Sequence, residues 1–273
     1  MPDDASTRPA DHEPPEGLDT TVPQSARIWN YWLGGKDNYP VDQAAGDAFR
    51  DLYPGIVDGA RAARYFLARA VRHLAGECGI RQFLDIGTGL PNVDNTHEIA
   101  QRVAPESRIV YVDNDPLVLL HARALLTAIP PGSVSYIDGD LHDPDAIVRE
   151  AKKKLDFDRP IALMLMGILG HISDYDEARS IVRRLLAALP PGSYLVHYDS
   201  TDTNDAYVEA IRQYNASGAI PYILRSPRQI IGFFDGLELL EPGVVSVPLW
   251  RPDPSPFGTP AEVDQYGGVG RKR

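Results

Sequence analysis

What most constrains this chain is an alternation of short apolar runs with amphipathic segments. Apolar runs at 83–86, 108–112, 134–137, 161–166 and 193–198 are each followed by a stretch of helical spacing, at 96–103, 116–129, 144–155, 175–189 and 205–217. The runs are near-continuous, as expected of strands buried on both faces of a parallel sheet. Five such units predict a doubly wound, mostly parallel α/β fold, because crossovers between parallel strands are right-handed and their helices cover both faces. Pro116 and Pro144 suit the first turn of their helices, and Asp115, Asp143 and Ser173/Asp174 suit the caps. Ahead of the first unit, 25–32 and 59–78 read as helices. In the second of these, Ala63, Phe66, Leu67, Ala70, Val71 and Leu74 form one stripe. Later, 237–241 and 244–249 flank Pro242-Gly243 and read as an antiparallel hairpin, which makes the sheet seven-stranded.

The two ends lack this pattern. Residues 1–22 carry six acidic side chains and four prolines against one Arg8, and predict a disordered acidic tail. Residues 253–273 are rich in Pro and Gly, close with Arg271-Lys272-Arg273, and predict a solvated C-terminal tail. The expected domain is therefore 23–252, with a helical cap over 23–80 and the sheet over 81–252. A formal charge of −11 argues against a general affinity for nucleic acid or an anionic membrane. With Cys78 as the single cysteine, neither an intrachain disulfide nor an all-Cys metal site can form, and a reducing, cytoplasmic location is expected. No signal-type apolar segment opens the chain. The longest apolar stretch, 161–172, is about a dozen residues, where a spanning helix needs roughly 20.

In an open α/β sheet, ligands lie beyond the carboxyl ends of the strands, where the strand order reverses. After the first strand stands Asp85-Ile86-Gly87-Thr88-Gly89-Leu90-Pro91. Gly87 and Gly89 either let the backbone approach a ligand or serve a tight turn. A dinucleotide fingerprint asks for a third glycine at position 92, where Asn92 stands, and this counts against a nicotinamide dehydrogenase. Asp85 repels phosphate and favours a ligand ammonium. Asp113 lies 24 residues past Gly89, roughly the spacing at which an acid reaches a ribose diol; it reads as that or as a second turn carboxylate. After the third strand, Asp140 can accept an amino hydrogen from a base, with Leu141 against its face.

His171 follows the fourth strand and is the first candidate for a general base; a structural histidine is the other reading. His197 and Asp199 come next, on one side of the fifth strand with Tyr198 on the other. No close pairing of ligand residues supports a metal, and none is expected. Trp29, Trp32 and Leu33 form an apolar stripe ending at Gly34-Gly35. The segment 29–39 is then either a packing helix with its cap or a lid that brings Asn38 and Tyr39 to the ligand. Tyr207, Tyr214 and Tyr222 suit an aromatic acceptor pocket or ordinary packing.

In this order, the D-x-G-x-G loop, the acidic end of the second strand and the D-L after the third resemble the class I S-adenosylmethionine-dependent methyltransferases. The chain is more similar still to an actinobacterial S-adenosyl methyltransferase branch formerly catalogued as a domain of unknown function. The matching words are Ser25-Ala26-Arg27-Ile28-Trp29-Asn30-Tyr31-Trp32-Leu33-Gly34-Gly35-Lys36-Asp37-Asn38-Tyr39, Phe83 to Pro91, Asn95-Thr96-His97-Glu98, Tyr111 to Pro116, and Trp250-Arg251-Pro252. The resemblance implies a Rossmann-like fold, S-adenosyl-L-methionine as cofactor, and methyl transfer to an oxygen or nitrogen of a small organic molecule. A binding module without turnover is the alternative. It also implies that Asp85, Gly87 and Gly89 line the methionine end, Asp113 holds the ribose hydroxyls with Asn114 beside the adenine, and Asp140 and Leu141 flank the ring. One departure is Gly167-Ile168-Leu169-Gly170-His171, where a more aliphatic run is usual; its two glycines are expected to reshape the pocket floor.

Overall fold

The structure, a computed structural model, describes residues 18–91, 94–126, 133–256 and 258–273. Three helices come first: α1 (Ser25–Trp32), α2 (Pro40–Leu52) and α3 (Ile56–Gly76). The alternating region follows as β1 (Gln82–Ile86), α4 (Thr96–Val103), β2 (Arg108–Asp113), α5 (Pro116–Leu126), β3 (Val134–Asp138), α6 (Pro144–Ala151) and β4 (Ala162–Met166). After a short 3-10 turn at Leu169–His171 come α7 (Tyr175–Ala188), β5 (Tyr194–Ser200), α8 (Asp205–Asn215) and α9 (Pro227–Gly232). The last elements are β6 (Glu238–Leu239), β7 (Val245–Ser246) and β8 (Gln265–Arg271). The predicted helix 116–129 is seen as far as Leu126; 127–129 lie outside the described residues, as does Asn92.

The sheet runs β3-β2-β1-β4-β5-β8-β6, with β7 also paired to β8. β1 to β5 are mutually parallel where they pair, and β8 is antiparallel to β5. The order reverses between β1 and β4, which sets the switch point there. Alternate strand residues feed two separate cores. Phe83, Ile109, Met164 and Val196 meet Phe66, Ala70 and Leu74 of α3. Leu84, Val110, Leu163 and Leu195 meet Ile147 of α6 and Ile181 and Leu185 of α7. Both faces are apolar, which is why the strands read as unbroken runs. The expected caps are present: Asp115, Asp143 and Asp174 accept backbone N–H groups of Leu117, Ala146 and Glu177 at 2.8, 3.0 and 2.7 Å.

Three expectations need correction. Residues 253–273 are not a solvated tail, because β8 lies inside the sheet in register with the whole of β5. Its Gly267 has no room for a side chain: a Cβ would stand 2.6 Å from the His197 carbonyl oxygen. Lys272 is not a free terminal charge either; its Nζ donates to the Leu186 and Leu189 carbonyls at 2.7 and 2.6 Å, capping the end of α7. The segments read as a hairpin do not pair with each other, since β6 and β7 both pair with β8. Of the acidic segment 1–22, residues 1–17 lie outside the described residues, but Leu18 and Asp19 line the ligand cleft described below. Arg27 donates to the Asp19 and Val22 carbonyls at 2.9 and 2.5 Å and fastens this stretch.

The sequence also hid α2. Its apolar face is short, Ala45, Phe49 and Leu52, and its other buried positions are Asp42 and Gly46. Asp42 is fully buried because it accepts from Arg27 Nε at 3.0 Å and from the Gln24 and Tyr39 backbone N–H groups at 2.9 Å. Trp32 Nε1 donates to the Gly46 carbonyl at 3.1 Å, locking α1 onto α2. Among the described residues, no helix is long and apolar enough to cross a membrane.

Candidate active site

The carboxyl ends of β1 to β4 open into a cleft of about 570 Å³, walled by α1 and α3. The loop after β1 is shaped by its glycines. Gly87 has φ +74°, and a Cβ there would lie 2.5 Å from the Ile168 side chain, so both conformation and space require glycine. Gly89 has φ +65° and faces open space. The loop is tied to the end of β2: Gly87 N–H donates to the Val112 carbonyl and Gly89 N–H to an Asp113 carboxylate oxygen, both at 2.8 Å. The second Asp113 oxygen accepts from Asp115 N–H at 3.0 Å.

Asp85 is buried at the root of the cleft and accepts from Thr96 Oγ1 at 2.7 Å. Burial pushes its carboxyl up to about 6, against the opposing pull of the Thr96 hydrogen bond and of Arg64. Burial also raises Asp113, against the amide bonds from Asp115 and Gly89. Asp19, Asp115 and Asp140 add further carboxylates to the lining. Of the cationic side chains on the described lining, Arg27 is committed to Asp42 and Arg64 stands on α3. The balance suits a ligand carrying positive charge and disfavours a pyrophosphate. Asp140 accepts from His142 N–H at 2.9 Å at the exposed mouth, beside the exposed Asn114 and over the buried Leu141. Asp85, Gly87, Gly89, Asp113, Asn114, Asp140 and Leu141 therefore share one cleft, as the strand-end reasoning expected.

Asn38 and Tyr39 do not line it. The Asn38 amide donates to Asn30 Oδ1 and to the Gly35 carbonyl at 2.9 and 3.0 Å. Gly35 packs so closely on Asn30 that a Cβ would meet its side chain at 2.3 Å. The loop 34–38 is thus wound around the Asn30 amide. Tyr39 packs with Leu90, Leu117 and Val118 and lies under the Arg27 guanidinium. α1 itself supplies cleft wall through Ser25, Trp29 and Asn30, and it is fastened by the buried Arg27–Asp42 ion pair at 2.9 Å.

The three candidate bases separate. His171 lines the cleft. Its Nδ1 lies 2.9 Å from the Pro221 carbonyl oxygen, which can only accept, so Nδ1 carries the proton and Nε2 holds a free lone pair. Burial lowers its pKa below the ordinary 6.5, which keeps the ring neutral at pH 7. His197 is fully buried under Phe233 and Phe234, donates Nδ1–H to the Leu165 carbonyl at 2.8 Å, and is absent from the cleft. Burial pushes it down to about 3, which keeps the ring neutral. Asp199 is also fully buried. It pairs with Arg225 at 3.2 Å and accepts the Tyr222 hydroxyl. Arg225 in turn donates to the Leu169 and Ile172 carbonyls at 2.8 and 2.6 Å, on the turn that carries His171. Asp199 therefore positions the turn and does not touch the cleft. Among the described residues, these three side chains form no cluster of metal-ligand geometry.

The two unusual glycines each have a steric reason. Gly167 has φ +73° and a Cβ there would meet the Tyr198 hydroxyl at 2.9 Å; a Cβ on Gly170 would lie 2.2 Å from the Tyr222 ring. Sequence reasoning missed Arg64. It lines the cleft beside Ala63 and Leu67 and donates to the Asp94 carbonyl at 2.8 Å. The signal was a cation set at the edge of an apolar helical stripe. Arg225 carried no such signal, because its partners come together only in the fold.

Comparison with known proteins gives four findings of likeness. A family model described as S-adenosyl methyltransferase matches residues 11–273. The chain is similar to a DUF574 family protein from Streptomyces avermitilis, at 46% identity over 93% of this chain and 99% of that one, with a TM-score of 0.88. It is similar to a candidate methyltransferase from Thermobifida fusca at 42% identity, covering 95% and 98% of the two chains, with a TM-score of 0.88. An O-methyltransferase family protein from Burkholderia thailandensis shares the fold at 17% identity, covering 83% and 62%, with a TM-score of 0.51. No curated protein matches the chain.

Proposed function

This chain belongs to the S-adenosyl methyltransferase family, and from that premise we propose that it methylates an oxygen or nitrogen of a small organic acceptor, with His171 as general base. The observation that carries the reading is the fixed tautomer of His171 at the cleft wall, which leaves Nε2 able to take a proton. S-adenosylmethionine, when bound, supplies a methyl group on a positively charged sulfonium. The acidic cleft and its glycine-shaped loop fit such a group: Asp85 with Gly87 and Gly89 would hold the methionine end and Asp113 the ribose hydroxyls. Asn114 would lie beside the adenine, with Asp140 and Leu141 flanking the ring. Arg64 lines the same cleft as Asp85 and would pair with the methionine carboxylate. The protein's own work is then to orient the acceptor, exclude water and remove one proton at His171 Nε2.

Asp113→Ala tests the cofactor end. Loss of a charged hydrogen-bond partner should weaken S-adenosylhomocysteine binding by about 1.5–3 kcal/mol, read by calorimetry. Unchanged affinity would remove Asp113 from the site. Binding should also depend on pH through Asp85. A ligand ammonium needs the carboxylate, and the free carboxyl sits at about 6. Affinity should therefore climb by up to about tenfold per pH unit toward 6 and level off above it. Asp85→Asn should flatten that profile, and a wild-type profile without the acid limb would count against the assignment.

His171→Ala tests the base. Turnover of labelled S-adenosylmethionine with a panel of phenols and amines should fall about 10²–10⁴-fold, while S-adenosylhomocysteine affinity holds. Only the neutral ring accepts a proton, so the wild-type rate should fall in acid, below the lowered pKa of His171, and stay level at neutral pH. A variant as fast as wild type would exclude His171. Binding without transfer to any acceptor would favour a module without turnover.

A further inference from the structure

Beside the cleft lies a second, smaller compartment of about 40 Å³ between α1, α2 and α8, and the two cavities share Ser25, Trp29 and His171. Three of its features restrict what can enter. First, among the described residues no charged side chain lines it. The nearby Asp199 charge is already met by Arg225. An ionised group would lose its hydration there with no counter-charge to replace it. Second, it is small. On a scale where one water needs roughly 10–15 Å³, it takes a group of about three non-hydrogen atoms. Third, Ser25 at the rim shared with the cleft apart, its hydroxyl groups are committed with one exception. Tyr222 donates to Asp199, and Tyr207 and Ser200 bond each other at 2.8 Å. The Tyr214 hydroxyl, buried on the same wall, has no hydrogen-bond partner among the described residues.

We propose that this compartment is the anchor pocket of the methyl acceptor, and that the acceptor is a phenol bearing a short, uncharged substituent with one hydrogen-bonding atom for Tyr214. The inference rests on the methyl-transfer reading above and deepens it by naming the substrate class. The substituent enters the compartment whose wall is formed by the mutually packed rings of Trp32, Phe49 and Tyr207, the acceptor ring lies against Trp29, and its hydroxyl meets His171 Nε2. A phenol suits this base. Its pKa near 10 lies within reach of a neutral imidazole in the transition state, whereas an aliphatic alcohol is far harder to deprotonate. Carboxylates and ammonium compounds of the same size are excluded by the uncharged walls.

The test uses the full chain saturated with S-adenosylhomocysteine, titrated calorimetrically at pH 7 with four probes: 4-hydroxyacetophenone, 4-ethylphenol, 4-hydroxybenzoate and tyramine. The two neutral phenols should bind at least tenfold more tightly than the anion and the cation. 4-Hydroxyacetophenone should exceed 4-ethylphenol about fivefold in wild type and lose that advantage in Tyr214→Phe. Ile211→Phe, which fills the compartment from α8, should weaken both neutral phenols at least tenfold without changing S-adenosylhomocysteine affinity. Tight binding of 4-hydroxybenzoate or tyramine, or an unchanged preference in Tyr214→Phe, would overturn the proposal. So would S-adenosylhomocysteine binding without binding of either neutral phenol. Failure to bind S-adenosylhomocysteine at all would instead strike the methyl-transfer reading.

Discussion

Deletion of residues 265–273 is expected to abolish cooperative folding. The strand removed, β8, is antiparallel to β5 from Tyr194↔Arg271 to Ser200↔Gln265 and is also the partner of β6 and β7. Each ladder hydrogen bond contributes about 1 kcal/mol net, and a domain has only about 5–15 kcal/mol in total. The loss extends beyond the ladder. Val269 leaves the core it shares with Trp250 and Val196, and the α7 carbonyls capped by Lys272 lose their donor. The bare edge of β5, buried along its whole length in the intact protein, becomes a template for aggregation. The truncated chain should show no cooperative thermal transition and should run as aggregate in size exclusion. A soluble monomer with a sharp, native-like transition would contradict the placement of β8.

Asp199→Ala should be the most damaging point change near the site. Arg225 is 2% exposed at its side chain and would be left buried without its counter-charge. Breaking such a pair on one side costs about 3–5 kcal/mol, or a fall in Tm of about 6–15 °C for a domain of this size. The Arg225 bonds to the Leu169 and Ile172 carbonyls survive the change and place the loss toward the lower end. Tyr222 loses its acceptor as well, so the wall against His171 loosens. Turnover should then fall further than S-adenosylhomocysteine affinity, since the residues proposed to hold that ligand lie at the ends of β1 to β3. Differential scanning calorimetry reads the first effect, and paired turnover and binding measurements read the second. A Tm within 2 °C of wild type would show that Arg225 does not depend on Asp199.

The central sheet could be read in advance because both faces of its strands are apolar, so its pattern is local and continuous. β8 could not. A strand of Gln265-Tyr266-Gly267-Gly268-Val269-Gly270-Arg271 has almost no apolar signal, and its glycines are there because neighbours crowd it from both sides. The same blindness produced the false hairpin. Adjacency in the chain suggested that the segments around Pro242-Gly243 pair, whereas their partner lies further along the chain. α2 was missed because its short apolar face, Ala45, Phe49 and Leu52, is interleaved with a buried carboxylate and a glycine. At the site, residues at strand ends were predictable from topology alone. Alternation correctly set His197 and Asp199 apart from Tyr198, but could not show that one is sealed by phenylalanines and the other claimed by an arginine. Asn38 and Tyr39 belong to a conspicuous motif, yet Asn38 bonds within its own loop and Tyr39 packs on Leu90, Leu117 and Val118.

The fastening of α1 bears on ligand traffic. Arg27 is fully buried and grips Asp42 together with two carbonyls, so swinging this wall outward separates the ion pair and leaves the buried Asp42 without its counter-charge. At about 3–5 kcal/mol, such an excursion occupies the wall for less than one part in a hundred of the time. A wall held in this way does not serve as a door. The cleft stays open to solvent past Asn114, Asp140 and His142, and on the proposed placement of the cofactor this is the way out for its adenine end.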